Sequence, residues 1–298
     1  MTEIVAVINP AAGGGTACAV WEELRRAEPR LAQARVVQAP SREAQRAELA
    51  PLIEAGIERL LVLGGDGSLH AIANLLLEMG QGARVAIGPV PLGTGADFVR
   101  GLGLPRDPRA CVARLLTARA RPIDALAVVT DDGRRVFVIN VASAGISGLV
   151  DEAVNALVRP GQAAYLRATL GAVRRYRPVA CRVSVDGALW YQGDILLLVV
   201  ANGRYFGRGM HISPRAELDD GLADVVLVGA VPRWQLAVRL PQLYFGTHLE
   251  SRYVQWRRGR EVRLEPLAPL PSFDLDGENW PSGAARFAVL PAALRVLV

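Results

Sequence analysis

Three times in the first hundred residues a short apolar strand runs into a glycine-rich loop. Ile4–Asn9 runs into Pro10-Ala11-Ala12-Gly13-Gly14-Gly15, Arg59–Leu63 into Gly64-Gly65-Asp66-Gly67-Ser68, and Arg84–Pro91 into Leu92-Gly93-Thr94-Gly95-Ala96-Asp97-Phe98. Short runs that stay apolar throughout suit strands buried on both faces. Alternation of such strands with helices predicts a parallel sheet covered on both sides. Arg35–Gln38 supplies a further strand. Thr16 is placed to cap the helix Ala17–Glu28, Ser41 the helix after the second strand, and a third helix spans Ser68–Leu77. In such a sheet the loops at the carboxyl ends of the strands share one edge, where ligands bind.

Near Ile123 the texture changes. Leu126–Thr130 and Val136–Val141 flank Asp131-Asp132-Gly133, and Val179–Val185 and Trp190–Val200 flank Asp186-Gly187. Both read as hairpins. Further short strands are predicted at Asp224–Val228, Arg252–Trp256, Glu261–Leu264, Arg286–Leu290 and Leu294–Val298, with helical stretches at Ser147–Arg175 and Trp234–Phe245. The expected architecture is an α/β N-terminal domain over residues 1–123, with a parallel sheet and Gly-rich nucleotide loops. A mainly antiparallel β-sandwich C-terminal domain follows over residues 124–298.

Glycines after a strand let backbone N–H groups approach a phosphate, and the next helix adds the positive end of its dipole. The chain contains no lysine; all 34 of its basic side chains are arginine, and the net charge is +5. A lysine-bearing phosphate loop and Schiff-base chemistry are therefore excluded. Phosphate handling would fall to backbone N–H groups, arginine and a metal ion. A carboxylate inside a phosphate loop, Asp66, makes sense with a divalent cation between it and the phosphates. Cys18, Cys111 and Cys181 have no metal or redox spacing, and three scattered histidines argue against zinc. The longest apolar runs are strand-sized and the N-terminus is not a signal peptide, so the expected location is the cytoplasm, with no transmembrane segment.

The ordered set Asn9-Pro10…Gly13, Gly64-Gly65-Asp66-Gly67-Ser68 and Pro91-Leu92-Gly93-Thr94…Asp97-Phe98 resembles the diacylglycerol kinase catalytic domain of soluble bacterial lipid kinases, related to sphingosine and ceramide kinases. The likeness continues through Asn202-Gly203-Arg204-Tyr205-Phe206-Gly207, Pro214, Asp220-Gly221-Leu222 and Asp274-Leu275-Asp276-Gly277-Glu278. It implies ATP in a cleft between two domains, with Mg²⁺ as cofactor. Asn9, Pro10, Ala11 and Ser41 would line the nucleotide site, Gly64, Gly65, Asp66, Gly67, Ser68, Leu69 and His70 would cradle the phosphates, and Thr94 would contact them. Asp66, Asp97 and Asp124 would organise Mg²⁺ through water. Asp276 would be the general base and Glu278 a nucleotide-site carboxylate. Glu217, Asp220 and Leu222 would form a second, structural cation site.

Four positions depart from the family pattern: Ser68 for threonine, Ala96 for asparagine, Ala71 for glutamate, and Arg208 within the glycine run after Phe206. The resemblance implies an ATP-dependent lipid kinase whose acceptor is a lipid alcohol such as diacylglycerol, reached peripherally at a membrane surface. Trp234, Tyr244, Phe245, Trp256, Arg257 and Arg258 are candidates for the docking face. The alternatives are an NAD kinase, which shares the Gly-Gly-Asp-Gly loop, and a nucleotide- or lipid-binding protein with lost turnover. No nucleic-acid partner is expected, and a homodimer is left open.

Overall fold

A computed structural model describes residues 3–39, 41–92, 96–155 and 162–298. Its chain divides into two compact units: Met1–Asp124 with Ala292–Val298, and Ala125–Pro291.

In the first unit, β1 (Ile4–Ile8) leads through a tight turn, α1 (Ala12–Gly15), into α2 (Ala17–Ala27). Then follow β2 (Arg35–Gln38), α3 (Arg42–Glu54), β3 (Arg59–Gly64), α4 (Asp66–Glu78), β4 (Ala86–Pro91), α5 (Asp97–Gly101) and α6 (Pro108–Leu115). β1 pairs in parallel with β2 and β3, and β3 with β4. Apolar side chains from both sheet faces are buried, Val5, Val7, Leu60 and Val62 among them, as the unbroken apolar runs require. On one face Ile8, Leu61 and Leu63 pack with Trp21 and Leu24 of α2 and with Leu115 of α6.

Two expected caps turn out differently. Ser41 accepts the N–H of Ala44 and caps α3. Thr16 does not cap α2: its hydroxyl donates to the Gly13 carbonyl instead. The three glycines before it, at φ 61°, 71° and 91°, turn the chain so that this carbonyl is the nearer partner. The helix after β3 starts at Asp66, not Ser68, so the aspartate belongs to its first turn.

The second unit is built from β5 (Ala120–Thr130, which begins in the first unit), β6 (Arg135–Val138), β7 (Val141–Gly145), β8 (Val179–Val185), β9 (Ala188–Ala201), β10 (Ala223–Gly229), β11 (Val254–Gly259), β12 (Glu261–Pro266), β13 (Phe273–Leu275), β14 (Glu278–Trp280) and β15 (Ala285–Leu297). β9 is central, pairing antiparallel with β7, β8 and β10. Leu126, Val183, Leu198, Val225, Phe273 and Phe287 are fully buried in the sandwich core. A second core lies beneath α7 (Ile146–Asn155), α8 (Gln162–Arg175) and α9 (Arg233–Phe245). Residues 156–161 of the single helix expected over Ser147–Arg175 lie outside the described residues.

The strand expected over Val136–Val141 is two strands with a corner at Ile139-Asn140. The two expected C-terminal strands are one, β15. It pairs with β12 near Phe287, and its end pairs in parallel with β4 through Arg295 and Val296. The last residues, read from sequence as sandwich, thus complete the parallel sheet of the first unit.

Candidate active site

In the first unit the loop after β1 is tied to the start of α4. Asn9 accepts the Ala11 N–H through Oδ1 at 3.1 Å and donates through Nδ2 to Ser68 Oγ at 3.2 Å. Gly64 faces this junction: a Cβ there would lie 2.4 Å from Ser68 Oγ and 2.5 Å from Ser68 Cβ. Glycine is required at position 64 for close packing, besides any use in binding. Leu69 and His70 are buried, and Leu69 N–H bonds back to Gly65 O. Only the leading N–H groups of α4, at Asp66 and Gly67, precede the intrahelical ladder. Pro10 is half-buried beside the exposed Ala11.

Asp66 has a use that sequence reasoning missed. Its carboxylate accepts the N–H groups of Asp97 (3.2 Å) and Phe98 (3.3 Å), the first two residues of α5. Ala96, the cap residue of α5, sits at φ 50°, ψ 42° and offers no side-chain acceptor. Asp66 supplies one from the first turn of α4, at the helix end where negative charge is favoured. The two aspartates are thereby brought together, and Asp97 is buried. Asp124, also buried, accepts the Ala292 N–H at 2.8 Å. That bond ties together the two points where the chain leaves and re-enters this unit. Thr94 lies outside the described residues.

In the second unit Asp276 and Gly277 are the turn of the β13–β14 hairpin, at φ 56° and 86°. Two positive φ values in succession define the tight hairpin turn that Asp-Gly favours. The Asp276 carboxylate accepts three backbone N–H groups: Ile139 (2.9 Å), Asn140 (3.0 Å) and Val141 (3.0 Å). It therefore makes the β6–β7 corner. The β8–β9 hairpin repeats the device: Asp186, at φ 51°, accepts the N–H groups of Arg260 and Glu261. Asp186 is exposed, whereas Asp276 is buried and carries one more bond. Glu278 follows as the first residue of β14, half-buried.

The same corner explains Asn202-Gly203. Asn202 Nδ2 donates to Ile139 O, and the Asn202 and Gly203 N–H groups both bond to Asn140 O. A Cβ on Gly203 would fall 1.9 Å from Asn140 Oδ1. Asn140 was not among the sequence candidates. Its one signal was an amide standing between Ile139 and Val141 in an apolar run.

Around the expected structural cation site, Asp220 Oδ1 accepts the Leu222 N–H, closing a local turn. Arg258 lies against two carboxylates, 3.3 Å from Asp220 and 3.2 Å from Asp224. Asp224 also accepts the Trp256 indole N–H at 2.6 Å. Burial pushes the Asp224 carboxyl above its usual range, against the opposing pull of Trp256 and Arg258. Glu217 is exposed. Among the described residues no three His, Cys, Asp or Glu side chains gather closely enough to hold a metal ion by themselves. Beside Asp220 the positive charge at hand is a guanidinium. Trp256 and Arg258 are thus committed internally, while Trp234 and Phe245 of α9 are 71% and 78% exposed.

Both halves of this arrangement have counterparts. Residues 3–128 match the diacylglycerol kinase catalytic domain, and residues 140–298 the YegS C-terminal NAD kinase beta sandwich-like domain. The chain belongs to the diacylglycerol kinase catalytic-domain family of lipid kinases. It is 29% identical over 298 residues to a "Diacylglycerol kinase" of Mycobacterium tuberculosis, covering 99% of this chain and 94% of the relative. It is 35% identical over 247 residues to a "Probable lipid kinase YegS-like" of Pseudomonas aeruginosa, covering 82% and 78%. The crystal structure of a diacylglycerol kinase from Bacillus anthracis str. Sterne superposes with a TM-score of 0.73 at 18% identity, covering 99% of this chain and 96% of that one, a likeness of fold.

Proposed function

We infer that this protein transfers the γ-phosphoryl group of ATP to the hydroxyl of a lipid alcohol of the diacylglycerol kind. The observation that carries the acceptor side is a cavity of about 130 Å³ in the second unit. Its wall is almost entirely apolar, with Val150, Leu196, Phe206, Leu236 and Leu243 contributing. Such a wall suits an acyl chain and gives the polar faces of NAD little to bond.

On the donor side, the N–H groups that open α4 and the glycine turn after β1 suit phosphate oxygens. Asp66, Asp97 and Asp124 suit a magnesium ion held mainly by water and phosphate, since that ion keeps several waters and needs few carboxylates. Bound there, magnesium would neutralise charge on the phosphates. The acceptor oxygen attacks the γ-phosphorus, the bond to the ADP oxygen breaks, and the hydroxyl proton passes to a carboxylate. Family likeness assigns that carboxylate to Asp276.

α9 links the cavity to a surface: Leu236, Leu240 and Leu243 line the pocket while Trp234, Tyr244 and Phe245 are exposed. Exposed aromatics at the edge of a lipid pocket suit a bilayer interface. No described helix is long and apolar enough to cross a membrane. Trp234→Ser with Phe245→Ser should cut sedimentation with vesicles of phosphatidylglycerol and diacylglycerol at least fivefold, each large aromatic contributing roughly 1–3 kcal/mol. Transfer to a short, water-soluble acceptor should be unchanged. Equal sedimentation would remove α9 as the docking element.

The reading as a whole is tested by incubating the protein with Mg²⁺, γ-labelled ATP and a panel of lipid alcohols in mixed micelles, with NAD in parallel. Label is expected in an organic-extractable phosphomonoester. Label in NAD alone would overturn it. Nucleotide binding with no transfer to any acceptor would favour the binding-protein alternative raised by Ala71 and Ala96.

A further inference from the structure

Asn140 stands where two parts of the second unit meet. Its main chain belongs to the Asp276 corner. Its N–H donates to Asp276 Oδ1 at 3.0 Å, and its carbonyl accepts the N–H groups of Asn202 and Gly203 at 2.9 and 2.8 Å. Its buried side chain serves a different segment: Nδ2 donates to the Tyr205 carbonyl at 2.8 Å.

That segment is a wall of the apolar cavity. Phe206 and Met210 line the cavity and are joined by two backbone bonds, each 3.0 Å. The Tyr205 ring stacks on His211, with centroids 4.5 Å apart, and the His211 N–H donates to Leu243 O of α9 at 2.7 Å. Residues 205–211 therefore run from the Asn140 amide to the helix that gives Leu236, Leu240 and Leu243 to the same cavity. Between the Asp276 carboxylate and this wall stand one residue and two hydrogen bonds.

The fit around the amide is close. A Cβ on Gly203 would fall 1.9 Å from Asn140 Oδ1 and 3.1 Å from its Cγ. The Gly203 backbone lies outside the left-handed region, so what glycine supplies there is room for the amide. Alanine at position 140 would keep every main-chain bond of the corner and remove the Tyr205 bond alone. The corner does not need this side chain; the cavity wall does.

We propose that Asn140 is a positioning residue for the transfer reaction: it fixes the wall on which an acyl chain packs relative to Asp276, so that binding of the chain aligns the hydroxyl with its proton acceptor. The inference rests on the lipid-kinase reading of the cavity and of Asp276. Binding energy from a remote part of a substrate is used in this way to orient the reacting group, and a misplacement of about 1 Å costs about a hundredfold in rate.

The test compares acetyl-, butanoyl- and octanoylglycerol as acceptors with Mg²⁺ and ATP, below their aggregation concentrations. In the wild type kcat should rise about tenfold or more from acetyl to octanoyl. In Asn140→Ala the rise should shrink to about twofold or less, through loss of rate on octanoylglycerol and little change on acetylglycerol. A residue that only stabilised the fold would lower all three by one factor. Hydrogen exchange on the full chain without nucleotide reads the same link. Octanoylglycerol should slow exchange at the N–H groups of residues 139–141 severalfold in the wild type and not in the variant, while protection at residues 206–210 persists in both. If Asn140→Ala folds poorly, adding Gly203→Ala refills the space, since the nearest atom the new Cβ then meets is the Cα of residue 140 at 3.6 Å. The double variant should show the same loss of length dependence. A wild-type kcat indifferent to chain length, a uniform loss across the three acceptors, or ligand protection at 139–141 that survives in the variant would overturn the proposal. Coupled protection with no phosphorylation of any acceptor would instead count against the kinase reading and leave the link between cavity and corner standing.

Discussion

An Asp276→Ala variant is expected to melt roughly 10 °C or more below the wild-type protein. The substitution strands the N–H groups of Ile139, Asn140 and Val141, three bonds at a buried corner. Each buried donor left without its acceptor costs about 1–3 kcal/mol, and a domain of this size loses roughly 2–4 °C per kcal/mol. Asp276→Asn should be milder. Its one amide oxygen can still serve Asn140 and Val141, but its N–H₂ group would then face the Ile139 N–H. Both variants should lose phosphoryl transfer. That loss speaks to a general base only when measured well below the variant's own melting temperature. Thermal unfolding followed by far-UV circular dichroism, with transfer assayed in parallel, separates the two roles. An Asp276→Asn protein that is fully folded yet a hundredfold slower supports the base. A folded one with near-normal kcat leaves Asp276 as a structural aspartate, like Asp186.

Asp66→Ala carries the second large effect, in the first unit. It removes the acceptor for the Asp97 and Phe98 N–H groups, and Ala96 has no side chain to replace it. On the proposed reading it also removes a carboxylate that would hold a water of the phosphate-bound magnesium ion. kcat should fall about a hundredfold or more, on the scale seen when one preorganised electrostatic group is deleted, with a smaller change in nucleotide affinity. The melting temperature should drop by only a few degrees, because α5 is short and close to the chain's own turns. Asp66→Asn keeps an acceptor oxygen and should recover most of the stability without recovering kcat. Full activity in Asp66→Asn would show that the α5 cap is the residue's whole task.

These two aspartates also mark what the sequence could and could not say. The parallel sheet was legible because the runs at Ile4, Arg59 and Arg84 are apolar throughout and end in glycine. The hairpins at Asp186-Gly187 and Asp131-Asp132-Gly133 were legible for the same local reason. What escaped was each bond made over a long sequence distance. Asp66 was read with a divalent cation because a carboxylate would repel phosphates in its loop; its N–H partners in α5, 31 and 32 residues away, were not legible. Asp276 was read, by likeness, as a base, and its partners lie 135 to 137 residues upstream. The corner at Asn140 split an expected strand for that reason. Leu294–Val298 looked like one more sandwich strand, and only parallel pairing with β4 returns it to the first unit.

Around the cation site expected at Glu217, Asp220 and Leu222, one neighbour was not legible in the sequence. Sequence likeness carried the carboxylate but not Arg258, whose guanidinium reaches Asp220 and Asp224 from a strand more than thirty residues later.

The central claim is that the hydroxyl oxygen of a lipid attacks the γ-phosphorus of ATP on this protein. ATP carrying ¹⁸O on its γ-phosphate, incubated with Mg²⁺, the protein and an octanoylglycerol, tests it directly by mass spectrometry of the extracted lipid. The account predicts a lipid phosphomonoester bearing three ¹⁸O atoms, its bridging oxygen being the unlabelled one of the acceptor. Labelled inorganic phosphate with no labelled lipid would contradict it.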